Sequence, residues 1–240
     1  MFITLFSCVP NKNMVYFNQG NNEEIILANY EPIIKPDDLL FIHVTTSEQE
    51  ASLPFAIQPL SKQMNIVYLE QQSYLVSEDG FIDFPGLGRL QVGGLKKSQV
   101  SKLLDNKLKP FLKDYNINVR IMNYNINVLG DVNRPGIIKV STERITLTQA
   151  LSMAGDLTVM AKRHNILIMR EVDNKMTYNY VSLLDKNLVN SPFYYLQQND
   201  VIYVEARRVK FDSTAIGSNI TTILSILSFA FTSYIFFTRL

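Results

Sequence analysis

The sequence predicts an α+β protein, with two small α/β domains followed by a C-terminal transmembrane helix. Short apolar segments of alternating polarity recur between residues 39 and 205, separated by turn residues, as is typical of strands. Apolar residues at helical spacing in 95–115 and 147–155 indicate one helix in each domain. Residues 213–238 contain no charged side chain. A helix of this length would be about 39 Å long, which is enough to cross a bilayer with some tilt.

The composition of the 240-residue chain narrows the classes of function. Charged residues are 19% and hydrophobic residues 47%, which suits a globular body with a membrane element. The net charge of +1 gives no support to nucleic-acid binding. The single cysteine excludes a disulfide within the chain.

That cysteine, Cys8, directly follows the short apolar segment 1–7. The segment resembles a bacterial lipobox, in which the cysteine becomes the lipidated first residue of the mature protein. It is shorter than a usual signal peptide, and no lysine or arginine precedes it. We expect Cys8 to be lipidated, and a free cysteine in the tail is the alternative. Residues 1–29, rich in asparagine, are predicted to be the signal remnant and a tether.

The first predicted domain covers residues 30–125. A strand is expected over Leu39–Val44, after a turn that contains proline and aspartate. Asp79 and Gly80 stand between two apolar segments, a pattern that predicts a hairpin. A helix is expected to begin at Leu95, and a half-buried strand at 116–121 follows it.

The second predicted domain covers residues 126–208. Thr146 can cap a short helix that Gly155 ends. Alternating or continuous apolar segments predict strands at 126–129, 137–140, 165–170, 176–181 and 201–205.

Six hydroxyl side chains of the segment 213–238 recur at a spacing that places them on one helical face. They are Ser218, Thr221, Thr222, Ser225, Ser228 and Thr232. Three interpretations remain open: a plain membrane anchor, a helix that associates through this hydroxyl stripe, and a buried soluble helix. Since small residues allow membrane helices to pack closely, the six are candidates for lining a pore or an interface.

We find no candidate catalytic, metal or cofactor site in the sequence. His43 and His164 are isolated, and the acidic residues form no defensible pair. The glycines Gly86 and Gly88 lack the lysine of a phosphate-binding loop and are expected to join strands. The chain is therefore not expected to be an enzyme.

Several of these segments resemble a known family. Residues 74–88, the helix after them and residues 118–121 look like a polysaccharide-export domain. Residues 128–136 resemble the opening of an SLBB β-grasp repeat, and 147–155 and 198–204 match its helix and closing strand. The chain is similar to the outer-membrane polysaccharide export (OPX, Wza-like) family.

The resemblance implies a homo-oligomeric ring with a periplasmic body, held at the outer membrane by lipid and by C-terminal helices. Its substrate would be a capsular or extracellular polysaccharide, and its partner an inner-membrane copolymerase, often fused to a tyrosine kinase. The chain departs from the family in having one SLBB repeat and a more hydrophobic final helix. Two alternatives stay open: placement in the inner membrane, and a membrane-tethered periplasmic glycan-binding module without its own pore.

Overall fold

The computed structural model describes residues 14–19, 30–47, 53–55, 72–172 and 175–238, without the side chains of 208–221. In order, the elements are β1 (Leu39–Thr46), a 3-10 turn (Leu53–Phe55), β2 (Tyr74–Leu75), β3 (Phe81–Phe84), β4 (Gly88–Gln91), α1 (Lys97–Leu108), β5 (Tyr115–Ile121), β6 (Asn125–Gly130), β7 (Gly136–Lys139), α2 (Leu147–Met153), β8 (Ala161–Val172), β9 (Lys175–Val181), a 3-10 turn (Lys186–Asn190), β10 (Val201–Ala206) and α3 (Arg208–Thr238).

The N-terminal domain is built around β1. This strand buries Leu40, Ile42 and Val44 on one face, and it pairs antiparallel with β2 on one side and β5 on the other. Helix α1 turns Val100, Leu104 and Leu108 toward the same core, because a four-residue spacing keeps these side chains on one helical face. The helix and the strands thus share a single apolar cluster.

The turn predicted at Asp79 and Gly80 is present, but the strands that flank it belong to different sheets. β2 pairs with β1, whereas β3 forms a two-stranded hairpin with β4. Gly80 has a φ of +80° and packs directly against Gly93, where an added Cβ would lie 2.7 Å from the Gly80 Cα. This close backbone contact joins the turn before β3 to the segment after β4, and the amide of Gly93 donates to the carbonyl of Gly80 over 2.8 Å.

The C-terminal domain has a five-stranded mixed sheet in the order β7-β6-β10-β8-β9. β10 lies in the centre, parallel to β6 and antiparallel to β8. Helix α2 covers one face, with Thr146 and Gln149 forming a capping box at its start. The buried side chains between helix and sheet include Ile126, Val128, Leu147, Leu151, Ile166, Ile168, Ile202 and Val204.

Gly130 lets two strands of this sheet approach each other. Its φ is +90°, and a Cβ at this position would lie 2.1 Å from the carbonyl oxygen of Val204. Only glycine fits here, because any other side chain would meet both a steric clash and an unfavourable backbone conformation. The segment after β6 therefore leaves the sheet at a fixed point.

A short N-terminal segment also packs on the C-terminal domain. Tyr16 and Phe17 contact its apolar cluster, and Tyr16 Oη donates a hydrogen bond to Asp156 Oδ1 over 2.5 Å. The amides of Phe17 and Gln19 donate to the carbonyls of Leu183 and Leu184. This part of the predicted tether therefore has a defined place; Cys8 and residues 20–29 lie outside the described residues.

The prediction of a transmembrane helix at 213–238 is wrong, and with it that part of the predicted fold class. In the portion of the chain that the structure describes, no helix combines the length and apolar character that membrane crossing requires. The described side chains of α3 run from Thr222 to Thr238. This stretch rises about 25 Å and is interrupted by hydroxyl residues, whereas a bilayer core is about 30 Å thick.

Asp38 is a buried acid in the turn before β1. Its side chain is 1% exposed, and Oδ2 accepts a hydrogen bond from the amide of Lys35 over 2.8 Å. Oδ1 has no hydrogen-bond partner among the described residues. Burial raises the pKa of Asp38 to about 6, because the charged form loses solvation that one backbone donor does not replace.

We predict that Asp38 makes the folded state less stable as the pH rises. The folded pKa of about 6 exceeds the unfolded value of about 3.9, so the folded state binds more protons between these values. The contribution to the free energy of unfolding is complete below pH ~4 and is lost by pH ~6, up to about 3 kcal/mol. In urea unfolding at a series of pH values, Asp38→Asn should remove this slope. An identical slope in both proteins would contradict the assignment.

Candidate functional site

The two domains are joined through Asn123, which lies between β5 and β6. Asn123 Oδ1 accepts a hydrogen bond from the amide of Leu39, and Nδ2 donates to the carbonyl of Asp37, each over 2.8 Å. The carbonyl of Asn123 accepts a bond from Nε2 of Gln198, whose Oε1 in turn accepts from the amide of Asn125. One asparagine thus connects the turn before β1 to the loop before β10.

Tyr30 forms a second connection between the domains. Its ring stacks on Tyr195 with 4.9 Å between centroids, and its Oη donates to the carbonyl of Leu196 over 3.1 Å. Tyr124 Oη donates to the same carbonyl over 2.6 Å. Burial raises the pKa of Tyr30 to about 12 and that of Tyr124 still further. Both phenols are therefore neutral hydrogen-bond donors at any physiological pH.

The loop that receives Tyr30 is held by a buried ion pair. Arg170 Nε donates to Asp200 Oδ1 over 2.9 Å, and Nη2 donates to Oδ2 over 2.6 Å, with both residues at most 4% exposed. Arg170 Nη1 and Nη2 also donate to the carbonyls of Pro192 and Tyr195. The amide of Gln197 donates to Asp200. The loop before β10 is therefore fixed by one bidentate pair.

A cleft of about 330 Å³ lies between the domains beside this junction. Its lining is Pro32, Lys97, Val119, Arg120, Ile121, Tyr124, Ser141, Thr142 and Glu143. Lys97 and Glu143 form an ion pair across the cleft. The Lys97 ammonium, and more weakly the nearby Arg120 and Arg144, hold the pKa of Glu143 below its usual range. Because the Glu143 side chain is 73% exposed, the pair contributes little to stability.

The side chains that line this cleft are suited to binding a solute. It offers hydroxyls, cationic groups and one aromatic ring, which suit a polar or anionic solute. The two histidines named in the sequence do not contribute to it. Within the described residues, no group of three or more histidine, cysteine, aspartate or glutamate side chains could hold a metal ion.

The structure describes only part of the predicted hydroxyl stripe. Cys8 and the side chains of Ser218 and Thr221 lie outside the described residues. Ser225, Ser228 and Thr232 each donate a hydrogen bond to a carbonyl one turn earlier in α3, those of Thr222, Ser225 and Ser228 respectively. The hydroxyl protons are used within the helix, so these groups offer acceptor lone pairs to a partner.

Sequence reasoning missed the residues that form the junction. In the sequence, Asp200 lies only within the segment 198–204, and Tyr30 only begins the first predicted domain. One signal was available: Arg170 follows Ile166 and Ile168 at the two-residue period of a strand's buried face. A charge at such a position needs a buried partner.

Together, the mixed sheet with central parallel strands β6 and β10 and the helix packed on one face define a β-grasp domain, fixed to a second small α/β domain. Family models match both. The model described as "Polysaccharide biosynthesis/export protein" matches residues 27–122, and an SLBB domain model matches residues 124–204. The chain belongs to the polysaccharide export family, as its sequence motifs predict, and carries one SLBB domain. This is a family of export proteins and not of enzymes.

Two curated relatives share a segment of the chain. Both carry the name EPS I polysaccharide export outer membrane protein EpsA. The protein of Ralstonia nicotianae is 25% identical over 137 residues, and that of Ralstonia solanacearum 26% over 137 residues. Each match covers 56% of this chain but only 36% of the relative, so the chain matches about a third of the relatives' length.

We predict that Tyr30 couples the two domains. Tyr30→Ala removes the stacking on Tyr195 and one hydrogen bond, and should lower the free energy of unfolding by about 3 kcal/mol. Tyr30→Phe keeps the ring and should cost about 1 kcal/mol. Amide hydrogen exchange should rise in 193–198 for the alanine variant and much less for the phenylalanine variant. Equal exchange in both variants and the wild type would show that Tyr30 does not couple the domains.

The Arg170–Asp200 pair gives a double-mutant test. Arg170→Met alone leaves a buried, unpaired carboxylate and should lower the free energy of unfolding by about 3–5 kcal/mol. Adding Asp200→Leu removes that charge, so the double variant should be more stable than Arg170→Met alone. Chemical denaturation of the wild type, both single variants and the double variant measures the coupling. Additive losses would contradict a direct pair.

Proposed function

We propose that the chain is a subunit of a homo-oligomeric outer-membrane translocon that exports capsular or extracellular polysaccharide, with its two domains on the periplasmic side. The observation that carries the proposal is the ordered match of an export-family domain and an SLBB domain to adjacent segments of one connected body. The names of the two Ralstonia relatives support the same substrate class and location.

The geometry suits transport without a chemical step. A polymer that moves through an assembly must be bound weakly and released repeatedly, which favours hydroxyls and exposed charges over a closed site. The cleft between the domains has these properties, since Ser141, Thr142 and Arg120 line it beside the partly exposed Lys97–Glu143 pair. A pyranose with hydroxyl or carboxylate groups can exchange water for these partners at little net cost.

Assembly of several copies is the second part of the proposal. The described side chains of α3 are almost all exposed and include large apolar groups, up to 81% exposed for Phe237. Exposed apolar surface of this extent favours a protein partner. We assign that role to neighbouring copies, with the hydroxyl stripe lining the contact between their α3 helices.

Two further parts of the proposal concern attachment and supply. Lipidation of Cys8 would hold the N-terminus at the membrane, and an acyl chain contributes about 0.8 kcal/mol per buried CH₂. An inner-membrane copolymerase, with or without a fused tyrosine kinase, would deliver the polymer. Mass spectrometry of the membrane-extracted protein tests the first, since Cys8→Ser should remove the added acyl mass.

The alternative function is a periplasmic glycan-binding module without a passage of its own. The cleft between the domains favours it, because it is large enough for a sugar unit in a single copy of the chain. Under this alternative the α3 contact is dispensable, whereas glycan binding to the isolated chain is required.

A deletion strain tests the proposal and separates it from the alternative. Loss of the gene should abolish extracellular polysaccharide, measured by sugar analysis of the culture supernatant, and the wild-type gene should restore it. Ser225→Leu with Ser228→Leu should fail to restore export, because the added volume blocks the helix contact. Ala230→Leu, on another face of α3, is the matched control and should restore it.

Unchanged export in the deletion strain would overturn both functions. Export restored in full by the double leucine variant would reject the α3 contact and favour the glycan-binding module.

A further inference from the structure

The cleft between the domains continues into two further cavities along helix α2. Ser141 and Thr142, which line the cleft, also line a second cavity of about 370 Å³. Thr148 and Ser152 of α2 line this second cavity and also a third one, of about 500 Å³. Because neighbouring cavities share lining residues, the three form one continuous surface, which we call the α2 groove. A chain molecule can occupy all three cavities at once.

Hydroxyl groups lie at both places where the cavities of the α2 groove meet. Ser141 and Thr142 are exposed, and the exposed Ser152 follows the half-buried Thr148 by one turn, on the same side of α2. A hydroxyl carries one donor and two acceptor lone pairs, which suits the hydroxyls of a sugar. Peptides instead add a strand to a sheet edge or place an apolar helix in a groove. The hydroxyls along α2 therefore favour a glycan.

The end of the α2 groove that lies between the domains is positively charged. Lys97, Arg120 and Arg144 all lower the pKa of Glu143, so three cations surround this carboxylate in the described part of the chain. The carboxylate of Glu31 is hydrogen-bonded at the start of α1 and does not line the cleft. An exposed ion pair such as Lys97–Glu143 exchanges partners at little cost. A carboxylate on a ligand can therefore replace that of Glu143.

The opposite end of the α2 groove is aromatic. Tyr16, Phe17 and Tyr194 line its cavity. The ring of Tyr16 is fixed by the hydrogen bond to Asp156 and by the guanidinium of Arg163, which lies 5.7 Å from the ring centroid. Rings held in this way can pack against the C–H groups of a pyranose, which make one side of a sugar apolar.

We propose that the α2 groove binds a segment of an acidic polysaccharide, with one sugar unit in each of the three cavities. The carboxylate of one unit binds Arg120 and Lys97, the middle unit contacts the hydroxyls along α2, and the ring of the third unit packs against Tyr194. The inference rests on the proposed function and narrows its substrate to polymers that contain a uronic acid.

Binding of defined oligosaccharides to the full chain in detergent tests the extended site. In isothermal titration calorimetry, trigalacturonate should bind about tenfold more tightly than galacturonate, because it reaches all three cavities. Maltotriose, which has the same number of units and no charge, should bind about tenfold more weakly than trigalacturonate. Equal affinities for galacturonate and trigalacturonate would overturn the groove, and equal affinities for the two trisaccharides would overturn the acidic specificity.

Two variants separate the charged end of the groove from its middle. Arg120→Gln should remove most of the preference for trigalacturonate over maltotriose. Ser152→Leu should weaken trigalacturonate binding about tenfold and leave galacturonate binding unchanged, because leucine fills the groove between the second and third cavities. Lys175→Gln and Asn106→Leu, at exposed positions outside the groove, are the matched controls. Equal effects of variants and controls, at unchanged melting temperatures, would contradict the proposal.

Glu143→Gln tests the exchange of partners through a gain in affinity. The variant removes the carboxylate that competes with the ligand for Lys97 and Arg120, so trigalacturonate should bind about threefold more tightly. An ion pair with a purely structural role would give no such gain. A folded Glu143→Gln protein that binds trigalacturonate no better than the wild type would show that Glu143 does not occupy the ligand's position.

The deletion strain described above distinguishes this inference from the proposed function. If deletion abolishes export but the chain binds none of these oligosaccharides, the groove is rejected and the export function stands. If deletion leaves export intact but the chain binds trigalacturonate with the expected response to Arg120→Gln and Ser152→Leu, the groove stands and the export function is rejected.

Discussion

The bidentate pair between Arg170 and Asp200 is the interaction on which the rest of the structure depends. It ties the long strand β8 to the start of β10, the central strand of the C-terminal sheet. The spare guanidinium donors hold the carbonyls of Pro192 and Tyr195, so the loop before β10 has a fixed path. A buried charge pair is expensive to desolvate, and the hydrogen bonds to the carbonyls of Pro192 and Tyr195 and from the amide of Gln197 offset part of that cost.

That loop carries the contacts between the domains. Tyr195 presents its ring to Tyr30, and the carbonyl of Leu196 accepts hydrogen bonds from Tyr30 and Tyr124. Gln198 Nε2 donates a hydrogen bond to the carbonyl of Asn123, the residue between β5 and β6 that joins the domains. This short loop, together with the hydrogen bonds of Asn123 to Leu39 and Asp37, therefore positions the polysaccharide-export domain and the SLBB domain. A body with this connection can keep the cleft at a constant width, as the proposed weak binding of a polysaccharide requires.

The sequence predicts the parts of this protein that depend on local patterns. Alternation in β1 and β8 and the cap at Thr146 follow from side-chain periodicity and hydrogen bonding within a few residues. The junction does not follow, since Tyr30 and Tyr195 are far apart in sequence and no local rule pairs them. The absence of charge over 213–238 likewise did not establish a helix that crosses a membrane. A count of charges leaves out the hydroxyls that interrupt the apolar surface of α3.

The exposed apolar side chains of the described part of α3 lead us to propose that copies of this chain assemble. Electron microscopy of the purified full chain tests the claim that the protein works as an assembly. The account predicts closed particles that contain several copies related by symmetry. Particles of single-chain size, at protein concentrations well above those used for the images and with the C-terminal helix intact, would contradict it.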